Sequence, residues 1–262
     1  MRKRALRPLQ RTFARFRAGV RRFSVEATRP DDDARAYQRD GAVVLRGLLS
    51  GEQVATLREA IEWNLSNPGP LAGVASCEED PGAFLEDFCN WSRVPGYQDV
   101  IFNSAIAEVG AALMASSTAR LYHDHVLVKE AGTQQPTPWH QDQPYYNISG
   151  RQNVSFWIPV DRGELHCLRL GCCQSAARSQ LSRAFVLAVP RESTLEFVAG
   201  SHEGTWYMPK TFLTEQSKWF PEGSLANVPD VASGALRLLL VASAARILTV
   251  TLRASLQVAT PS

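Results

Sequence analysis

Near residue 120 the apolar period of the chain changes, and this change limits the fold more than any other feature. From Leu121 to Glu130, the residues Leu121, His123, His125, Leu127 and Lys129 alternate with Tyr122, Asp124, Val126, Val128 and Glu130. A period of two belongs to a strand with two different faces. Upstream the period is helical. Ser50 and Gln53 form a capping box, and Val54, Leu57, Ile61 and Leu65 follow at helical spacing until Asn67-Pro68-Gly69-Pro70 stops them. Asp31-Asp32-Asp33 after Pro30 cap a shorter helix through Gln38, which Gly41 ends. Asn103 or Ser104 caps a helix carrying Ile106, Val109 and Leu113. Downstream, 153–161 (NVSFWIPVD) and 193–202 (STLEFVAGSH) read as strands, and 211–220 (TFLTEQSKWF) as a short helix. Residues 42–48 (AVVLRGL) read as a buried strand, and 71–98 as loop. Helices followed by short strands with Pro and Gly turns predict a mainly β, α+β domain: a sandwich or barrel with a helical N-terminal layer.

Composition removes some function classes. The net charge of +2 is concentrated at one end: residues 1–25 hold eight Arg, one Lys and no acid. The rest of the chain carries 19 basic against 26 acidic residues, so the basic balance does not indicate a nucleic-acid partner. The arm 1–28 places Leu6, Leu9, Phe13, Phe16, Val20 and Phe23 on one helical face, as a mitochondrial transit peptide does. A basic disordered or nucleic-acid-binding arm on a cytoplasmic protein is the alternative. No uninterrupted apolar run reaches the length of a membrane span. Five Cys without a CxxC pair indicate neither a disulfide framework nor a zinc ribbon.

The chemistry-bearing stretch is TPWHQDQPYY, 137–146. On extended backbone, side chains at i and i+2 share a face, so His140 and Asp142 present an imidazole and a carboxylate together. With a second His they would form the facial triad of a non-haem Fe(II) oxygenase. A lone His-x-Asp is a weak signal, and His123-Asp124-His125 is a competing cluster nearby. In order along the chain, Lys129-Glu130 at a strand end, TPWHQDQPYYN, VSFWIPVD and PRESTLEFVAGSH resemble the phytanoyl-CoA dioxygenase family, from about residue 33 to about 230. The resemblance implies a double-stranded β-helix, the cupin-like jelly roll, and an Fe(II)- and 2-oxoglutarate-dependent dioxygenase, with ascorbate as an auxiliary reductant. It implies His140 and Asp142 as iron ligands, and Lys129 and Trp157 as cosubstrate contacts. Tyr145 and Tyr146 fall near the substrate mouth, and the substrate is a small organic or lipid-like molecule, acyl-CoA among the options. His125 is expected to hydrogen-bond within the core, with lining of the pocket as the alternative.

Two segments depart from the family pattern. Residues 163–188 interrupt WIPVDR…VPRESTLEF and hold Cys167, Cys172 and Cys173. The tail 231–262 has no His, no acid and no aromatic residue. The family's late His and the Arg about ten residues beyond it have no counterpart, because no His follows His202. The oxygenase domain is thus expected at 31–230, split by a foreign insert and followed by a foreign tail, as translated non-coding sequence would be. Loss of the final strands is expected to open the jelly roll at its C-terminal side. Two rivals stay open: a non-catalytic relative that binds without turnover, and a zinc or other metal-binding cupin-type barrel.

Overall fold

The computed structural model describes residues 30–134, 136–161, 195–229, 238–241 and 246–254. The basic arm, the insert with its three Cys and His166, and much of the tail lie outside the described residues. Four helices, α1 (Pro30–Asp40), α2 (Gly51–Ser66), α3 (Pro95–Asn103) and α4 (Ile106–Leu113), accompany seven strands. These are β1 (Gly73–Val74), β2 (Phe84–Phe88), β3 (Arg120–Lys129), β4 (Asn153–Pro159), β5 (Leu195–Val198), β6 (Leu238–Val241) and β7 (Arg246–Arg253). Five of the strands form an antiparallel sheet in the order β1-β2-β3-β7-β4, and β5 pairs with β6 in a second, two-stranded sheet. No helix among the described residues is long and apolar enough to cross a membrane.

The period change at residue 120 becomes the division of the sheet into two faces. In antiparallel pairs, directly opposed residues share a face. Val126 and Val128 of β3, Val154, Phe156 and Ile158 of β4, and Leu248, Val250 and Leu252 of β7 are buried against Leu57, Ile61, Tyr97, Val100, Ile101, Ile106 and Leu113 of the helices. This layer is the main core. Helix α4 approaches it closely, since a Cβ on Gly110 would lie 2.6 Å from Leu252 Cδ1. The other face carries Phe84, Glu86 and Phe88, then His123, His125, Leu127 and Lys129, then Thr249 and Thr251, then Ser155 and Trp157.

The capping box at Ser50 and Gln53 forms, with both reciprocal hydrogen bonds present. Other local readings are corrected. Residues 42–48 make no strand; the chain turns through Gly41 and Gly47 at positive φ, while Val43, Leu45 and Leu48 still pack on the core. Residues 211–220 make turns rather than a helix, with Glu215 and Trp219 at positive φ. The stretch 71–98 contains β2 and the start of α3. Pro95 in the first turn of α3 was the available signal for that helix. Strand β2 escaped notice because its buried face includes a carboxylate. Asp87 accepts from Asn64 Nδ2 at 2.7 Å, Gly69 N at 2.7 Å and Phe88 N at 2.9 Å.

The largest correction concerns the tail. The sheet is not opened at its C-terminal side, because β7, which lies in the tail, is hydrogen-bonded between β3 and β4. Its residues Leu248, Val250 and Thr251 are fully buried. Only four residues, 242–245, separate β6 from β7.

Two outcomes follow from this packing. Leu248→Ala lowers unfolding free energy by about 2–4 kcal/mol in urea titration, because it empties a fully buried site in the middle of the sheet. The second concerns Asp87. Burial pushes its carboxyl up, but its hydrogen bonds from Asn90, Gly69, Asn64 and Phe88 outweigh this and hold it below the ordinary carboxylate value. A depressed folded pKa gives stability that is present above the unfolded value and lost as pH falls through the folded one. Urea midpoints at neutral pH therefore fall in Asp87→Asn relative to the native chain, and the gap between the two narrows below about pH 4.

Candidate functional site

His140 and Asp142 lie in an irregular segment between β3 and a 3-10 turn, Gln143–Tyr145, not on a strand. Their common direction comes instead from the residue between them. The Gln141 side chain donates to Ser201 O at 2.9 Å and Thr205 O at 3.3 Å, and it accepts from Tyr207 N at 2.9 Å. It ties the segment to the loop after β5. Sequence reading passed over Gln141, although its place between the two candidate ligands was a usable signal.

The ring and the carboxylate converge, with His140 Nε2 3.3 Å from Asp142 Oδ1. Cis donors about 2.1 Å from a shared metal stand about 3 Å apart, so this spacing suits a pair of ligands. His140 Nδ1 lies 2.8 Å from Pro138 O. With Nδ1 donating to that carbonyl, Nε2 carries the lone pair, as a metal-ligating histidine requires. Asp142 is half exposed (49%) and His140 less so (27%), which leaves a solvent-facing side for further ligands. Burial would raise the Asp142 carboxyl, but hydrogen bonding and charge from His140, with help from Ser155 and Tyr146, hold it below the usual carboxylate range. Burial would depress His140, and Asp142 outweighs it, leaving the imidazole raised. Among the described residues no third His, Cys, Asp or Glu joins them in a metal-binding group.

The remaining candidates are distributed around this pair. Tyr146 Oη donates to Asp142 Oδ2 at 3.2 Å and lies 3.0 Å from Ser155 Oγ and 3.4 Å from Thr251 Oγ1. Its hydroxyl is therefore engaged inside the fold, where it braces the carboxylate against β4 and β7. Tyr145 Oη donates to Lys210 O at 2.7 Å and accepts from Lys210 N at 2.8 Å. Its ring meets His140 edge-on at 5.6 Å, and Phe212 packs on His140 at 5.0 Å, so two aromatic rings wall the imidazole.

Trp157 lies in register with Thr249, which is in register with His125. The neighbouring row holds Ser155, Thr251 and His123. Lys129 is six residues along β3 from His123, about 20 Å, and its ammonium lies 4.6 Å above the Phe84 ring. It stands at the opposite end of β3 from His123, on the same sheet face. His125 departs from its expected core role. It stacks on Phe88 at 3.7 Å, it lies 3.7 Å from Glu86, and its buried Nε2 has no hydrogen-bond partner among the described residues. Asp124 points to the opposite face and accepts from Asn90 N and Trp91 N, so the His123-Asp124-His125 cluster is split by the strand pleat. His202 contacts Gln38 O at the end of α1.

The fold is shared with solved structures that include two proteins described as non-haem and α-ketoglutarate-dependent. The carbocyclase SnoK from nogalamycin biosynthesis, described as α-ketoglutarate-dependent, superposes with a TM-score of 0.56 at 18% identity, over 86% of this chain and 77% of that one. The epimerase SnoN, solved with Fe3+, α-ketoglutarate and nogalamycin RO, gives 0.54 at 17% identity, over 88% and 79%. AviO1 from Streptomyces viridochromogenes gives 0.52 at 14% identity, over 86% and 87%. No curated protein sequence matches the chain. The sequence profile of phytanoyl-CoA dioxygenase (PhyH) matches residues 76–168, the stretch that contains His140, Asp142 and Trp157. Over residues 76–168 the chain is thus similar to phytanoyl-CoA dioxygenase, and its fold is that of its structural neighbours.

Proposed function

We propose that this protein is an Fe(II)- and 2-oxoglutarate-dependent dioxygenase that hydroxylates a small organic or lipid-like substrate, with His140 and Asp142 holding the metal. The observation that carries this reading is the convergence of His140 Nε2 and Asp142 Oδ1 at 3.3 Å, with His140 Nδ1 already committed to Pro138 O. The family match and the iron and α-ketoglutarate recorded for SnoN support the choice of metal and cosubstrate. A bound iron would supply oxidation of a C–H bond coupled to decarboxylation of the cosubstrate.

The chain's own residues prepare that centre. Pro138 O fixes the tautomer and ring plane of His140. Tyr146 holds Asp142 Oδ2, leaving Oδ1 turned toward the imidazole. Tyr145 and Phe212 keep water from one side of the ring. Trp157 and His125 lie in the next register row and offer a cosubstrate an apolar wall and an imidazole nitrogen with no hydrogen-bond partner among the described residues. Lys129 supplies positive charge at the far end of the same face.

A second reading is a binding protein without turnover. Two observations favour it: no third ligand stands with His140 and Asp142 among the described residues, and only four residues connect β6 to β7. Succinate release from 2-oxoglutarate with Fe(II) separates the two. The first reading expects succinate from the native chain and none above background from His140→Ala. Co(II) and 2-oxoglutarate binding without succinate would select the second reading, and failure to bind Co(II) would remove the metal assignment. Tyr146→Phe, with its fold retained by circular dichroism, weakens Co(II) affinity by about tenfold, since a group that orients a ligand is lost.

A further inference from the structure

We propose that Lys218 and Trp219 form a recognition site for an organic anion, the charged end of the substrate, at the outer edge of the aromatic wall beside His140. This rests on the reading of His140 and Asp142 as the reactive centre. The wall is continuous in space. Phe212 and Tyr145 pack on His140, and the Lys218 ammonium lies 5.9 Å from the centre of the Tyr145 ring and 5.3 Å from that of Trp219. Lys218 is half-buried, and no carboxylate among the described residues lies within ion-pair distance of it. The loop's two acids, Glu215 and Glu222, line a cavity with Met208, Lys210, Ser217 and Leu225, and neither is ion-paired with Lys218.

Trp219 supplies an independent observation. It is 72% exposed and its φ is +68°, a left-handed conformation that bulky residues rarely adopt. Such a residue persists only where its surroundings impose the conformation. Here the Lys210–Ser217 bridge, Lys218 N donating to Pro209 O at 2.8 Å, and Gln216 N donating to Thr211 Oγ1 at 3.1 Å fix the backbone around it. The loop thus holds a large aromatic face in water, one residue from a cation that has no carboxylate within ion-pair distance among the described residues. An ammonium between two π faces is partly desolvated and still open to an anion. The indole offers a flat apolar surface beside it. The matching ligand has a carboxylate joined to a flat or apolar body.

The test uses the full chain without metal, with 2-naphthoate and its neutral analogue 2-naphthamide as probes in calorimetry. The native chain is expected to bind the acid at least about tenfold more tightly than the amide. Lys218→Gln erases that difference. Trp219→Gly weakens both probes by about tenfold without lowering the thermal midpoint, because glycine accepts the positive φ. His140→Ala retains naphthoate affinity, so the anion site is scored separately from the metal reading. No naphthoate binding by the native chain, equal affinity for acid and amide, or a preference that survives Lys218→Gln would each overturn the proposal. So would displacement of naphthoate by an equal concentration of 2-oxoglutarate, which would assign the cation to the cosubstrate.

Discussion

The structure depends on the double ladder made by β7. This strand hydrogen-bonds to β3 on one side and β4 on the other, and without it those two strands would present unpaired backbone edges. Leu248, Val250 and Leu252 fill the middle of the apolar layer under the helices. On the opposite face, Thr251 meets the Tyr146 hydroxyl, which reaches Asp142. One strand therefore serves the core with alternate residues and the candidate metal pair with the residues between them. The site and the stability of the domain are coupled through a segment that has no His, no acid and no aromatic residue.

The pleat of the sheet separates groups that stand side by side in sequence. Asp124 turns to the helix side, where it satisfies two backbone N–H groups. Its neighbours His123 and His125 turn to the other face. There they meet different surroundings. His123 packs between Tyr122 and Tyr146, and burial pushes its imidazole down to about 4, with His125 adding to the effect. His125 stacks on Phe88, with its Nε2 3.7 Å from Glu86 and without a hydrogen bond among the described residues. The metal pair obeys a different device. His140 and Asp142 share a direction because Gln141 is fastened on the other side of the chain, and no strand geometry is needed.

Much of this was legible in residue order. The capping box at Ser50, the stop at Asn67-Pro68-Gly69, the alternation from Leu121 to Lys129 and the His-x-Asp pair are short-range signals, fixed by backbone conformations over a few residues. The misreadings share a cause. Residues 42–48 have strand composition but no partner strand, and 211–220 have helical composition but are held in turns by hydrogen bonds to Pro209 and Thr211. Strand β2 was hidden because Asp87 is buried, and its burial is possible only with Asn64 and Gly69 from a distant helix end.

The sequence by itself determined the two-layer plan of helices and strands, the two faces of β3, and the pairing of an imidazole with a carboxylate at 140 and 142. Each of these needs only neighbours a few residues away. Only the tertiary structure decided which strand fills the gap between β3 and β4, that Tyr146 braces Asp142 through Thr251, 105 residues beyond it, and that Lys218 stands at the edge of the His140 wall. These contacts join segments whose separation no local period encodes. They are selected when the whole sheet satisfies its backbone hydrogen bonds and buries its apolar face at once.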